Sequence, residues 1–117
     1  MFDRRMDIKT ELSENFALRI VNLYQFLLKK NERIMCKQIL RSGTSIGANI
    51  AESIYAESTD DMKHKLSISL KEASETRFWL RILYRSSYID NMMFVSLNND
   101  CESIIKLLTK IIKTLKQ

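Results

Sequence analysis

Apolar residues recur along this chain at intervals of three and four positions, which is the spacing of an amphipathic helix. A first helix is predicted from about residue 10 to residue 30, and Asn31, a residue type that tolerates left-handed backbone, is its predicted stop. Its apolar positions form two adjacent stripes, Phe16, Ile20, Leu23 and Leu27 in one and Ala17, Val21, Tyr24 and Leu28 in the other. The combined apolar face is wider than a seam between two helices requires.

Three further helices are predicted downstream. The second covers about residues 32–55, and the third covers about residues 59–85 behind a capping box formed by Ser58 and Asp61. The fourth follows an N-cap at Asp90. Their apolar stripes are Cys36, Ile39, Gly43, Ile46 and Ile50; then Met62, Leu66, Ser69, Ala73, Thr76, Leu80 and Leu83; and last Phe94, Leu97, Cys101, Ile104, Leu108, Ile111 and Leu115.

Composition supports an all-α fold. The 117 residues include no proline and only two glycines, whereas β-rich folds need many turns built from Gly, Pro, Asn and Asp. Long helices joined by short connections favour antiparallel neighbours. We therefore predict one domain, residues 1–117, folded as an antiparallel up-down-up-down four-helix bundle.

No segment of the sequence predicts a membrane span or a signal peptide. The longest early apolar run, IVNLYQFLL, is too short to cross a bilayer and lacks a cleavage-site flank. The two cysteines, Cys36 and Cys101, do not make a disulfide framework. The expected compartment is therefore the cytoplasm.

The two glycines stand close together in LRSGTSIGANIAES, residues 40–53, and this spacing admits two interpretations. A P-loop needs four residues between its glycines and then Lys and Ser or Thr, whereas here three intervene and Ala48 follows Gly47. The helical interpretation fits better, because Gly43, Gly47 and Ala51 repeat every four residues as a row without side-chain bulk. Each helical glycine costs about 1 kcal/mol relative to alanine, so close approach of another helix should offset it. The predicted partner is the small and polar centre of the third helix, at Ser69, Ala73 and Thr76.

Polar residues follow one side of the second helix at three- and four-residue spacing. They are Arg41, Ser45, Asn49 and Glu52. On the third helix, Glu72 and Glu75 are the predicted partners of Arg41. Since a buried charge requires a partner, we interpret these six residues as a structural polar network rather than a catalytic site.

Three stretches together resemble a known family. LRSGTSIGANIAES, then HKLSISLKEASETRFWLRIL and YID, resemble the four-helix-bundle proteins named for open reading frames within 23S rRNA intervening sequences, over nearly the whole chain. The matching positions are Arg41, Ser42, Ser45, Gly47, Asn49, Ile50, Ala51, Glu52, Glu72, Glu75 and Thr76. The resemblance implies a bundle that is often a homopentamer. It also implies a relation to the basic accessory protein of diversity-generating retroelements, which binds a reverse transcriptase and nucleic acid.

Residues for catalysis or metal binding are scarce. A di-iron bundle needs two Glu-x-x-His motifs, and the only histidine, His64, lies between Lys63 and Lys65 on a predicted solvated surface. Cys36 and Cys101 occupy apolar stripes, where inert buried thiols are expected. The sequence therefore favours a protein that is not an enzyme and has no cofactor or metal.

Basic residues are the remaining candidates for function in a chain of net charge +5. Two rows follow helix faces, Arg77, Arg81 and Arg85 on the third helix and Lys106, Lys110 and Lys113 on the fourth; Lys29, Lys30, Arg33 and Lys37 cluster around the first turn. One row alone is typical of a solvated face, but a ring of subunits would multiply it into a polyanion-binding surface. The leading hypothesis is an oligomer that binds RNA, DNA or a nucleic-acid enzyme. The alternative is a protein-interaction scaffold whose charge serves solubility.

Overall fold

The computed structural model describes residues 4–115, with side chains from residue 7 onward, and within this range all the regular structure is helical. The four helices are α1 (Arg4–Lys29), α2 (Met35–Ser53), α3 (Thr59–Arg85) and α4 (Asn91–Leu115). Each helix packs against the next, and α4 closes the bundle against α1. The predicted all-α four-helix bundle is confirmed, and the body measures 46 × 21 × 18 Å.

Contacts between neighbouring helices show that their directions alternate. The pairs are Arg41–Glu72 and Glu52–Lys65 between α2 and α3, and Arg77–Glu102 and Tyr84–Phe94 between α3 and α4. The numbering rises along one helix of each pair while it falls along the other. The α1–α2 and α3–α4 connections therefore lie at the same end of the bundle. We call residues 28–38 and 81–92 the two-loop end.

The two connections at this end use the same backbone device. Asn31 and Ser87 have positive φ angles of 64° and 67°, so both helices stop in left-handed backbone. After α1, the N–H of Glu32 donates to the carbonyl of Leu27 at 3.0 Å; after α3, the N–H of Tyr88 donates to the carbonyl of Leu83 at 2.9 Å. Both are Schellman stops, which satisfy the last carbonyls of a helix. The predicted stop at Asn31 is confirmed.

Two predicted helix starts were wrong. α1 begins at Arg4 rather than near residue 10, because no glycine or proline interrupts the chain before Thr10. α2 begins at Met35 rather than at Glu32 and ends at Ser53 rather than at residue 55. Glu32 lies outside the helix because its carboxylate accepts the free N–H groups of the first turn.

The other two helix starts are confirmed. The Ser58 hydroxyl accepts the N–H of Asp61 at 3.0 Å, and Asp90 Oδ1 accepts the N–H of Met93 at 2.8 Å. The Asp61 carboxylate in turn accepts the N–H of Glu57 at 3.1 Å. These bonds satisfy N–H groups that a helix start leaves without an internal partner.

The predicted apolar stripes form the core. The stripe of α2 is buried along its whole length, and Met62, Phe94 and Leu115 are the only partly exposed members of the stripes of α3 and α4. On α1 the first stripe is buried, whereas in the second stripe Val21 remains 36% exposed. The second stripe therefore stays partly open to solvent.

The glycine row meets a different helix from the one predicted. A Cβ added at Gly43 would lie 2.8 Å from Ile20 Cγ1, and one added at Gly47 would lie 3.4 Å from Ser13 Oγ, both on α1. The predicted partner, the centre of α3, instead contacts α2 beside the glycines, at Ser42 and Ile46. The cause is geometric: residues 43 and 47 point to one side of the core stripe, and that side faces α1.

Candidate functional site

The charged seam between α2 and α3 contains the first part of the predicted polar network. Arg41 Nη1 lies 3.1 Å from Glu72 Oε1, and Arg41 Nη2 contacts Glu75 Oε2. The indole N–H of Trp79 donates to the same Glu75 oxygen at 3.0 Å. The Arg41 side chain is 49% exposed, so this cluster lies at the surface of the seam rather than in the core.

The remaining predicted members do not join this cluster. Ser45 Oγ donates to the Arg41 carbonyl at 2.6 Å, and Asn49 Nδ2 donates to the Ser45 carbonyl at 2.9 Å, so both side chains bond back to their own helix. Glu52 pairs with Lys65 at 2.9 Å, about three helical turns along α2 from Arg41. Ala51, the third residue of the predicted row of small residues, is exposed beside Glu52. The structure therefore divides the charged members into two separate surface ion-pair groups, one around Arg41 and the other formed by Glu52 and Lys65.

The electrostatics of the Arg41 cluster favour a fixed charge pattern. Hydrogen bonds from Arg41 and then from Trp79 lower the pKa of Glu75, and the same contact raises the pKa of Arg41. Both groups stay ionised at neutral pH and neutralise each other. A carboxylate held in this way is poorly suited to general acid–base catalysis, which needs a pKa near the working pH.

Beneath these charges, buried hydroxyl groups connect α2 and α3. Thr76 Oγ1 lies 2.8 Å from Ser42 Oγ, and Ser69 Oγ donates to the Ile46 carbonyl at 2.8 Å. All three hydroxyl residues are fully buried. Sequence reasoning marked the polar centre of α3 but missed Ser42 as its partner. The available signal was a serine next to a glycine inside an apolar stripe.

Both thiols are buried, and burial makes them poor nucleophiles. Burial raises the pKa of the Cys101 thiol to about 12, and its Sγ donates to the Ala73 carbonyl at 3.3 Å. Burial and the nearby Glu32 charge raise the pKa of Cys36 as well. His64 is exposed on α3. Within residues 4–115, His, Cys, Asp and Glu form no group of three that could hold a metal ion.

None of the helices in the described range has the length and apolar character that crossing a membrane requires.

The two predicted basic rows differ in how they are paired. Arg77 forms an ion pair with Glu102 on α4 at 2.7 Å, whereas Arg81 and Arg85 are exposed and pair with no acid among residues 4–115. Lys106, Lys110 and Lys113 are exposed along the outer side of α4. This lysine row runs toward the end opposite the two-loop end, where α3 begins with Asp60 and Asp61.

The two-loop end concentrates positive charge. Six cations lie within residues 28–38 and 81–92, namely Lys29, Lys30, Arg33, Lys37, Arg81 and Arg85, and none forms an ion pair with another described residue. The two acids there, Glu32 and Asp90, cap α2 and α4. Both carboxylates are thus directed at backbone N–H groups. Sequence reasoning missed this convergence because the two segments are some fifty residues apart in the chain.

Comparison with known proteins agrees with this fold. The family model described as 23S rRNA-intervening sequence protein matches residues 8–110. A solved structure from Bacteroides thetaiotaomicron, described as a protein with unknown function from the S23 ribosomal protein family, is 52% identical with a TM-score of 0.92. That alignment covers 93% of this chain and 98% of the other. No curated protein matches the chain.

Proposed function

Because this chain belongs to the family of 23S rRNA-intervening sequence proteins, we propose that it is an oligomeric bundle without catalytic activity that binds RNA or DNA through a basic surface. A nucleic-acid enzyme working on the same strand is a compatible further partner. The proposal places the protein in the cytoplasm, where its two free thiols remain reduced. The observation that carries it is the group of six unpaired cations at the two-loop end.

Pairing decides which cations can bind phosphate. A cation already neutralised by a carboxylate must give up that partner before it contacts a polyanion, as Arg77 would have to give up Glu102. Arg81 and Arg85 have no carboxylate partner among the described residues to give up, so they can contact phosphate without this loss. Lys29, Lys30, Arg33 and Lys37 lie at the same end, so one surface presents six positive charges. Binding then releases counterions from the nucleic acid, which makes affinity depend steeply on salt.

The experiment is a salt series with two matched double variants. Fluorescence anisotropy measures binding of labelled RNA and DNA to the wild type, to Arg81→Ala/Arg85→Ala and to Lys106→Ala/Lys110→Ala. Both variants lose two positive charges, but only the first loses them at the two-loop end. We expect the first to reduce the slope of log K against log salt by about 2 and the second to change it little.

The outcomes distinguish between the two hypotheses drawn from the sequence, nucleic-acid binding and a protein-interaction scaffold. If the wild type binds neither RNA nor DNA at low salt, the proposal is wrong and the interaction scaffold remains. If both double variants weaken binding equally, net charge matters and the two-loop end is not a specific surface.

Self-assembly is the second part of the proposal. Apolar side chains stay exposed on one face of α1: Leu18 is 64% exposed and Val21, one turn further on, is 36% exposed. We expect this face to meet a second copy, and the family resemblance implies a pentamer. A ring would bring several two-loop ends together and strengthen binding through multivalency. Light scattering tests this: Leu18→Glu should lower the oligomer mass and weaken nucleic-acid binding while leaving the helical circular dichroism spectrum unchanged.

A further inference from the structure

We propose that the cavity at the two-loop end receives an unstacked base of a single-stranded nucleic acid. This inference rests on the proposed function and makes it more specific, because it selects single strands over duplexes. Three observations carry it: the size of the cavity, the aromatic rings in its wall and the arrangement of charges around it.

The cavity has a volume of about 330 Å³ and lies between the end of α1 and the α3–α4 connection. Its wall includes Phe26 from α1, Lys30 just after α1, Tyr84 from α3, and Ser87 and Asp90 from the α3–α4 connection. This volume falls at the lower end of the range of about 300–1,000 Å³ typical of small-molecule sites. It suits one base or nucleoside rather than a length of duplex.

The aromatic rings in the wall are held in place by their neighbours. Tyr84 stacks on Phe94 with ring centroids 4.7 Å apart and planes 14° from parallel, yet it remains 36% exposed. The Lys30 ammonium lies 4.9 Å from the centroid of Phe26. Rings fixed before binding lose little freedom when a base stacks on them. Stacking on an aromatic side chain is the usual way in which proteins hold bases of single strands.

The charges divide the site into a place for the base and a place for phosphates. Asp90 lies in the cavity wall; its Oδ1 caps α4, and its second carboxylate oxygen can accept an N–H group from a base edge, while its charge repels phosphate. Lys30 is in the wall as well, and Arg85 is two residues before Ser87. A base inside the cavity therefore leaves its flanking phosphates beside these cations.

A duplex cannot use such a cavity without losing a base pair. Bases of a duplex are stacked on their neighbours and paired through their edges, so an enzyme or reader that needs a whole base must unstack it. In a single strand, bases can be splayed out at much lower cost. The cavity thus distinguishes single strands from duplexes by whether a base is accessible, rather than by the charge of the backbone.

The test compares a labelled 12-nucleotide single strand with its own duplex by fluorescence anisotropy on the full chain. Tyr84→Leu removes the ring but keeps an apolar side chain, and Tyr84→Phe keeps the ring. Phe78→Ala is the matched control, because Phe78 is an aromatic residue of the same helix, 43% exposed, and not part of the cavity wall. Thermal melting shows whether each variant is folded.

We expect Tyr84→Leu to weaken single-strand binding at least about fivefold and to leave duplex binding unchanged. Tyr84→Phe and Phe78→Ala should bind both ligands like the wild type. If Tyr84→Leu binds the single strand as well as the wild type does, the inference is wrong even though the proposed function stands. If the wild type binds no nucleic acid, the proposed function fails first.

A measurement on the wild type covers the case in which Tyr84→Leu does not fold. Ultraviolet cross-linking to a single strand carrying 5-iodouracil, followed by peptide mapping, should label the peptide that contains Tyr84. Labelling confined to α4 residues 106–113 would overturn the inference.

Discussion

Towards α1, helix α2 presents Gly43 and Gly47, whereas towards α3 it presents the hydroxyl of Ser42 and the guanidinium of Arg41. The contact with α1 is close because the two glycines have no side chains, and it is specific because the surfaces of the two helices match in shape. The second seam is specific because polar groups must find partners. One stretch of fourteen residues therefore fixes two neighbours of α2 by two different physical means.

The difference explains how this stretch can resemble a ligand site and yet serve contacts between helices. Small residues, hydroxyls and an arginine resemble the components of a ligand site. In this bundle Gly43, Ser42 and Arg41 are used in contacts between helices, whereas the Ser45 hydroxyl bonds to its own helix. The six cations of the two-loop end, none of which forms an ion pair with another described residue, lie outside LRSGTSIGANIAES.

The largest effect is expected from Gly43→Ala, which breaks the seam based on shape. The new Cβ would lie 2.8 Å from both γ carbons of Ile20, a side chain that is stiff at χ1. Overpacking there costs about 3 kcal/mol and the better helix propensity of alanine returns about 1 kcal/mol, which leaves a net loss of about 2 kcal/mol. Urea unfolding measures this loss. A variant as stable as the wild type would mean that α1 and α2 are further apart in solution.

Glu32 extends the comparison to the start of α2, which is stabilised by a charged side chain rather than by the matching shapes of two helices. Its carboxylate accepts the N–H groups of Ile34, Met35 and Cys36 at 3.0, 3.0 and 2.6 Å. Burial acts to raise the pKa of Glu32, but these three donors outweigh it and hold the pKa below its ordinary value of 4.5. Glu32→Gln should therefore cost about 1.5 kcal/mol at pH 7, the loss of charge-assisted bonds.

The pH dependence of this effect follows from the lowered pKa. The stabilisation by Glu32 is fully present above pH 4.5, where the carboxylate is ionised in both states, and is lost as the pH falls through the folded pKa. Urea unfolding of the wild type and of Glu32→Gln should therefore converge at low pH. A gap that is equally wide at pH 7 and pH 3 would contradict a role for the charge.

A smaller effect is expected from Thr76→Val, which breaks the hydroxyl seam while keeping its shape. The variant removes the Thr76 hydroxyl 2.8 Å from the buried Ser42 hydroxyl and leaves Ser42 only its long 3.5 Å bond to the Ile39 carbonyl, at a cost of about 1 kcal/mol. Ser42→Ala in addition should return part of this loss, since no hydroxyl is then left without its partner. The measurement is a double-mutant cycle by thermal unfolding. Strictly additive losses would show that the two hydroxyls do not interact.

The smallest effect, and of the opposite sign, is expected from Gly47→Ala. Its Cβ would meet Ser13 at 3.4–3.6 Å, which is ordinary contact distance. The helix propensity of alanine then dominates and stabilises the fold by about 0.5 kcal/mol. A rise in Tm, against the fall for Gly43→Ala, would show that only one of the two glycines is required sterically.

Much of the fold could be predicted because it depends on local patterns. The stripe through Ile39, Gly43 and Ile46 and the caps at Ser58 and Asp90 use residues within a few positions of each other. The start of α2 could not be predicted in this way. Glu32 lies before α2, and its carboxylate accepts the N–H groups of the first turn. In the sequence, it cannot be distinguished from an acid that lies within the first turn.

The candidate site was less accessible to such reasoning. The predicted ion pairs of Arg41 with Glu72 and Glu75 are present in the structure. They were predictable because Glu72 and Glu75 are three residues apart and so lie on one face of α3, which limits the possible partners of Arg41 on the adjacent helix. By contrast, nothing in the sequence separates Arg77, which Glu102 neutralises, from Arg85, which is unpaired. The three arginines have the same spacing and differ only in what α4 places opposite them.

The sequence by itself determined where α3 and α4 begin, where α1 stops and which faces are buried, since periodicity and capping act over three or four residues. The tertiary structure decided which helix meets the glycines, which cations are neutralised, and that residues 28–38 and 81–92 share one end of the bundle. These outcomes depend on distances between residues that are remote in the chain. Only the packing of the four helices sets those distances.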